Sequence, residues 1–364
     1  LSRFTRQVKI GGSDHVRVVT LGGGLPPVIQ TMWKERLSVS DIEGRAADHI
    51  ISRIETLGKM GCSLLRFAVP DLPSAEIVGN LASMVSMPLV ADIHFDHKIA
   101  LRCLDFPIAK IRINPGNIGS REKVEALLSK AASLSRPIRV GVNAGSLPSD
   151  LQKKVDDHSL DRAEAMVMAA EREIAIFDEF QFRDVLVSMK ASSFADTIRA
   201  NRIFAERSDV PLHIGVTEAG PLIPGIVRST AALLALLKEG IGDTIRVSLS
   251  DTMEKEVIAG REILGTAGLY SGGVQIISCP KCGRNSFDTH GFTERWESRL
   301  YSMEKSMTVA IMGCEVNGPG EAREADLGIT GTGNKVLIFK KGKVIRTIDA
   351  KDADKIFEEE INNI

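Results

Sequence analysis

The sequence predicts an α/β fold in two parts, a (β/α)8 TIM barrel followed by a smaller α+β domain. Two observations lead there. Eight strand-like runs, separated mostly by amphipathic segments of helix length, recur over roughly the first 250 residues, the expected size of a (β/α)8 barrel. A doubly wound sheet more often stops at about five to seven strands. Past Gly272-Gly273 this βα rhythm gives way to a mixed pattern of strands and helices.

The elements follow in order. Residues 7–21, ending in Gly22-Gly23-Gly24, read as a hairpin plugging the lower end of the barrel. The strand-like runs lie at 28–32, 64–69, 89–94, 110–114, 138–143, 185–190, 212–217 and 244–249, each short and rich in Val, Ile and Leu. A helical segment at 254–264 closes the barrel, which gives domains at 1–270 and 271–364. The second domain has strand-like 274–277, helical 293–303, strand-like 308–312, a hairpin of 336–339 and 344–348 over Lys341-Gly342, and a closing helix at 354–361.

The 364 residues are 43% hydrophobic and 26% charged, with a net charge of −1. That balance argues against general nucleic-acid binding, which shows as a basic excess. No apolar run approaches the length of a membrane span, and the first residues, from Leu1 to Arg6, hold no signal-like apolar region. Five cysteines are too few for a disulfide scaffold. Cys62 and Cys103 read as buried core thiols, and the chain reads as a cytoplasmic protein whose start, Leu1, lacks a few residues.

Within the barrel strands one parity is apolar and the other is polar. Arg66 alternates with Leu65 and Phe67, Asp92 and His94 with Ala91 and Ile93, and Arg112 and Asn114 with Ile111 and Ile113. Arg139 and Asn143, Ser188 and Lys190, and Arg246 and Ser248 repeat the register. Alternate side chains of a strand face opposite ways, so the polar set faces the barrel interior. Most barrels fill that volume with branched aliphatics. Five inward cations against Asp92 therefore call for an anionic partner. Internal ion pairs to Asp92 and Glu218 account for two of them. A bound diphosphate accounts for the rest through bidentate guanidinium contacts at the C-terminal strand ends.

The second domain carries Cys279-Pro-Lys-Cys282 and, much later, Gly313-Cys314 leading through Asn317 to Gly320-Glu321. Two cysteines three positions apart aim both sulfurs at one centre, and a third arriving from a Gly-rich loop closes a face around it. Zinc is the ordinary reading of a lone C-x2-C pair. A zinc ribbon, however, needs a second close pair of ligands, and only Cys314 and the stray His290 are offered. Three thiolates suit a [4Fe–4S] cluster whose fourth iron takes a displaceable oxygen ligand, for which Glu321 is the candidate.

Four further stretches carry a resemblance: Val90 to Asp96, Lys110 to Gly119, Gly141 to Leu147 and Glu239 to Thr244. Together with Gly313 to Glu321 they resemble the 4-hydroxy-3-methylbut-2-enyl diphosphate synthase family of isoprenoid biosynthesis, in one order from about Val18 to the C-terminus. The resemblance implies reductive ring-opening of 2-C-methyl-D-erythritol 2,4-cyclodiphosphate with loss of water. Two electrons come from flavodoxin or ferredoxin, and the working form is a homodimer with active sites shared between chains. It places the cluster ligands on Cys279, Cys282, Cys314 and Glu321, and the diphosphate-binding cations on Arg66, Arg112, Arg139 and Lys190 with Asn143 beside them. Asp92, His94, Arg246 and Ser248 complete the expected substrate site. Glu218 matches a family carboxylate suited to donate a proton, although its position equally suits an ion pair with Arg246 or Lys190. Two departures stand out: Trp33-Lys34-Glu35 replaces a Thr-rich first βα loop, and Ser250-Asp251-Thr252-Met253 lacks a proline.

Overall fold

An antiparallel hairpin opens the chain, with β1 (Val8–Ile10) paired to β2 (Val19–Leu21). The computed structural model describes residues 3–93, 96–114, 119–280, 282–314, 320 and 322–364. The chain divides into two units, Leu1–Tyr270 and Ser271–Ile364.

In the first unit strands and helices alternate: β3 (Val28–Met32), α1 (Gly44–Lys59), β4 (Cys62–Ala68), α2 (Leu72–Ala82), β5 (Leu89–Asp92), α3 (His97–Cys103), β6 (Lys110–Ile113) and α4 (Arg121–Ser133). Then come β7 (Ile138–Asn143), α5 (Ser149–Asp156), α6 (Arg162–Glu179), β8 (Val185–Lys190), α7 (Phe194–Arg207), β9 (His213–Ile214), α8 (Leu222–Leu237), β10 (Thr244–Ile245) and α9 (Met253–Thr266). Side-chain caps start several helices: Asp71, Asp161, Ser193 and Thr252 each accept a backbone N–H of the first turn, satisfying donors the helix leaves open.

The strands form one parallel sheet in the order β8-β7-β6-β5-β4-β3-β10-β9. A parallel bridge from Val187 to Leu212 joins its two ends, so the sheet closes into the expected barrel. β9 and β10 are shorter than the runs 212–217 and 244–249. A side chain at Gly215 would stand 2.5 Å from the carbonyl oxygen of Arg246, so the two backbones approach more closely there than an ordinary ladder permits.

The barrel interior is graded. At the N-terminal strand ends Leu64, Val90 and Leu186 point inward and pack against Val8, Ile10, Val16 and Leu21 of the hairpin. Two residues further along the same strands the inward positions become Arg66, Asp92 and Ser188. The hairpin stoppers the apolar end, and the polar end faces the loops.

The second unit holds β11 (Val274–Ser278), α10 (Thr289–Tyr301), β12 (Met307–Met312), β13 (Leu327–Thr332), β14 (Lys335–Lys340), β15 (Lys343–Asp349) and α11 (Ala353–Asn362). The sheet order follows the chain, parallel from β11 to β13 and antiparallel from β13 to β15. Phe292 and Trp296 of α10 meet Phe357 of α11 edge-on, at centroid distances of 5.1 and 4.9 Å, over the buried face of this sheet. The sequence reading did not anticipate β13, because Gly328 and Gly331 dilute its apolar pattern. Their absent side chains admit neighbours: an added Cβ would lie 2.0 Å from the Phe339 ring at Gly328 and 2.7 Å from Phe287 at Gly331. Among the described residues no helix is long and apolar enough to cross a membrane.

Candidate active site

The barrel's polar end gathers Arg66, Asp92, Arg112, Arg139, Asn143, Lys190, Arg246 and Ser248 around one cavity of about 280 Å3, together with Met32, Ser188 and Thr217. Asp92 faces two guanidiniums, Arg112 at 3.3 Å and Arg66 at 3.6 Å. Arg139 is 2% exposed and donates to the Ser188 hydroxyl at 2.6 Å, while its Nε and Nη2 have no acceptor among the described residues. Small residues make room for these cations. A Cβ at Gly141 would stand 2.8 Å from the Arg112 guanidinium, and one at Gly215 would stand 3.0 Å from Lys190 Nζ.

Three further residues complete the charge pattern, none of them singled out in the sequence. Lys110 is fully buried, shares the parity of Arg112, and donates to Gln30 Oε1 at 3.1 Å. His213 lies fully buried 3.1 Å from Lys190 Nζ, with its other ring nitrogen on the Thr244 hydroxyl. Burial and the neighbouring Lys190 push His213 far below the usual imidazole range, so it is neutral. Nδ1–H then donates to Thr244, and Nε2 accepts from the lysine. Both residues obey the inward parity that exposed Arg112 and Arg139, so that signal was present for them too.

Glu256 is the third. Its strand partners gave no hint, since it sits among apolar residues of α9. It is 2% exposed and accepts from Thr31 Oγ1 at 2.6 Å and from the Leu249 N–H at 3.0 Å. It also faces Lys34 at 3.0 Å and Arg246 at 3.7 Å. Arg246 therefore takes Glu256 as its carboxylate. Glu218, the partner the sequence offered, pairs with neither Arg246 nor Lys190. It is exposed in a left-handed conformation with φ of 52°, on a neighbouring hollow that shares Asn143 and Thr217 with the cationic cavity. The departure at Trp33-Lys34 acquires a role here. Lys34 also donates to the carbonyls of Leu249, at 2.8 Å, and Asp251, tying the first βα loop across to the segment after β10.

Six inward cations thus confront two carboxylates among the described residues. Burial, then the other cations, push Lys190 and Arg139 well below their usual ranges, and burial drives Arg66 down to about 10 despite Asp92. Burial likewise depresses Lys110. The interior is short of negative charge and destabilises its own cations, which is the electrostatic condition of a site built to receive an anion. His94, the remaining substrate-site candidate, lies outside the described residues.

In the second unit the thiols collect at the C-terminal ends of two adjacent parallel strands. Cys279 directly follows β11 and Cys314 follows β12 by one residue, with Cys282 in the turn between β11 and α10. The Gly313 N–H donates to Cys279 Sγ at 3.0 Å. Cys314 is buried and Cys282 exposed. Asn285 brings a buried Oδ1 that has no hydrogen-bond partner among the described residues, against the open side of Gly313. No three Cys, His, Asp or Glu side chains among the described residues stand close enough to share one metal ion. Glu321 and Asn317 lie outside the described residues.

The fold and this site define a class: a TIM barrel with a cationic mouth, continued by an α+β unit with three thiols at its strand ends. Comparison with known proteins narrows it. Residues 5–261 match the GcpE TIM-barrel domain and residues 275–363 match the GcpE protein C-terminal domain. The 4-hydroxy-3-methylbut-2-en-1-yl diphosphate synthase (flavodoxin) of Treponema pallidum is 50% identical over 99% of this chain and 92% of its own length. The enzymes of the same name from Treponema denticola and Thermodesulfovibrio yellowstonii are 50% and 42% identical, over 100% and 99% of this chain and 99% and 98% of their own lengths. Among solved structures, a dihydropteroate synthase from Xanthomonas albilineans matches with a TM-score of 0.44 at 15% identity, covering 72% of this chain and 97% of that one. The chain belongs to the GcpE family of 4-hydroxy-3-methylbut-2-en-1-yl diphosphate synthases, and it is an oxidoreductase.

Proposed function

We propose that this enzyme opens the ring of 2-C-methyl-D-erythritol 2,4-cyclodiphosphate reductively, giving 4-hydroxy-3-methylbut-2-enyl diphosphate and water for isoprenoid biosynthesis. The observation that carries the reading is the surplus of buried cations around a 280 Å3 cavity. Family membership supports it independently. The reaction consumes two electrons and one proton. A C–O bond to the ring phosphate breaks, a hydroxyl leaves as water, and the product diphosphate carries one more negative charge than the cyclic ester.

The barrel's own residues favour that change in charge. Arg66, Arg112, Arg139 and Lys190 take the diphosphate, and their pull strengthens as the leaving oxygen becomes anionic. Asp92 holds two of these guanidiniums in place and Glu256 holds Arg246, so little reorganisation accompanies the step. Asn143 and Ser248 offer neutral hydrogen bonds to the substrate's oxygens, and His94 orients its hydroxyls. Glu218, on the adjoining hollow that shares Asn143 and Thr217 with the cavity, donates the proton to the departing oxygen.

Cys279, Cys282, Cys314 and Glu321 hold a [4Fe–4S] cluster. Three thiols on strand ends and an adjoining turn, one already receiving a backbone N–H, are the soft donors that would hold such a cluster. When bound, the cluster supplies the electrons singly and a Lewis-acidic iron. Flavodoxin or ferredoxin delivers the electrons, the enzyme works as a homodimer with shared active sites, and it resides in the cytoplasm.

The test is iron, sulfide and zinc content after anaerobic purification, followed by turnover with the cyclodiphosphate and reduced flavodoxin. About four irons and four sulfides per chain with turnover are expected. One zinc per chain that survives reconstitution with iron and sulfide overturns the redox mechanism. Glu321→Ala is expected to keep its iron and lose most turnover.

A further inference from the structure

A second cavity of the barrel unit, about 640 Å3, lies beside the cationic one and shares Met32 and Arg246 with it. Its character is different. Phe67, Leu37, Ile77 and Val78 give it an apolar side opposed by charged residues such as Glu35, Arg36 and Asp71, and Trp33 stacks on Phe67 at 5.5 Å and 16°. The buried Trp33 indole N–H has no acceptor among the described residues. The volume falls within the range of small-molecule sites. The cyclodiphosphate brings only a short, mostly oxygenated carbon skeleton with one methyl group, too little apolar surface to cover this side.

We infer that the apolar side of this cavity accepts the hydrocarbon chain of a prenyl diphosphate longer than the five-carbon product, with the diphosphate head on the barrel cations. The inference rests on the diphosphate reading of the cationic cavity. A chain ester-linked to a phosphate on Arg246 enters alongside Met32, whose unbranched thioether repacks readily. It lies against Phe67 and the apolar side chains of α2. Trp33 N–H faces the ester oxygen or a retained water. The ligand competes with the substrate for the same cations.

Titration calorimetry of the full-length protein with inorganic diphosphate, isopentenyl diphosphate and geranyl diphosphate tests this, with geraniol as the chain alone. Geranyl diphosphate is expected to bind at least tenfold more tightly than isopentenyl diphosphate, in keeping with burial of five further carbons. Geraniol is expected to bind far more weakly than either. Ala68→Leu, at an exposed position on the cavity wall, and Leu37→Trp, in the first βα loop, each fill the space and are expected to erase the tenfold difference while inorganic diphosphate binds as before. Equal affinities for the two esters, or a difference that persists in both variants, overturns the inference and leaves the diphosphate site standing. Absence of binding by inorganic diphosphate overturns both.

Discussion

At the level of single residues, the cationic cavity is expected to trade stability for affinity. Arg139 is the extreme case, nearly inaccessible, with Ser188 Oγ its one acceptor among the described residues and Arg66, Arg112 and Arg246 among the charges facing it. Replacing a poorly compensated buried charge with an apolar residue of similar length is often neutral or stabilising. Arg139→Met is therefore expected to raise or preserve the melting temperature of the unliganded protein while weakening diphosphate binding by about two orders of magnitude. Calorimetry of both quantities in one preparation checks the trade.

Lys190 gives the matching pH effect. Arg139, Arg246, Arg66, His213 and Glu256 face it, and burial together with the cations holds its folded pKa well below 10.5. Between those two values the unfolded chain binds a proton that the folded chain has released. Stability from this group consequently rises with pH through that window and levels off above 10.5. A bound diphosphate restores the charged form, so binding at mildly alkaline pH takes up protons. Titrations in buffers of different ionisation enthalpy are expected to detect that uptake, and Lys190→Met to lose it. The alternation of side chains made Arg66, Arg112, Arg139 and Lys190 legible in the sequence. It applied equally to Lys110 and His213, which passed unnoticed at the start of their runs. Glu256 was not legible, because a carboxylate on an apolar helix stripe acquires meaning only when the barrel brings Lys34 and Arg246 to it.

Among elements, those with unbroken periodicity declared themselves and those shaped by contact did not. The barrel's first six strands follow runs of Val, Ile and Leu. β9 and β10 end early where Gly215 draws two backbones together, and β13 is hidden by glycines that exist to admit Phe339 and Phe287. Gly328→Ala is accordingly expected to destabilise the second unit by about 1–3 kcal/mol through overpacking against Phe339. Phe339→Leu in the same chain is expected to return part of that loss, a coupling that chemical denaturation of the single and double variants measures.

On the scale of the whole molecule, the chain divides into two units, and a ligand bound by one unit is expected to stabilise that unit. Inorganic diphosphate is expected to slow hydrogen exchange in β4 to β8, and reconstitution with iron and sulfide to slow it in β11 and β12. Protection that appears in the other unit instead breaks the assignment of the two sites.

The hairpin β1–β2 fills the lower end of the barrel with Val8, Ile10, Val16 and Leu21, which leaves a vessel with one door. Whatever enters toward the cations must leave the way it came, so departing product and arriving substrate contend for the same passage. On the proposed reaction the product is the more highly charged of the two, and the cations are expected to hold it harder. Product release is then expected to limit turnover, and measured turnover to rise with moderate salt, which loosens that hold, before it falls as substrate binding weakens.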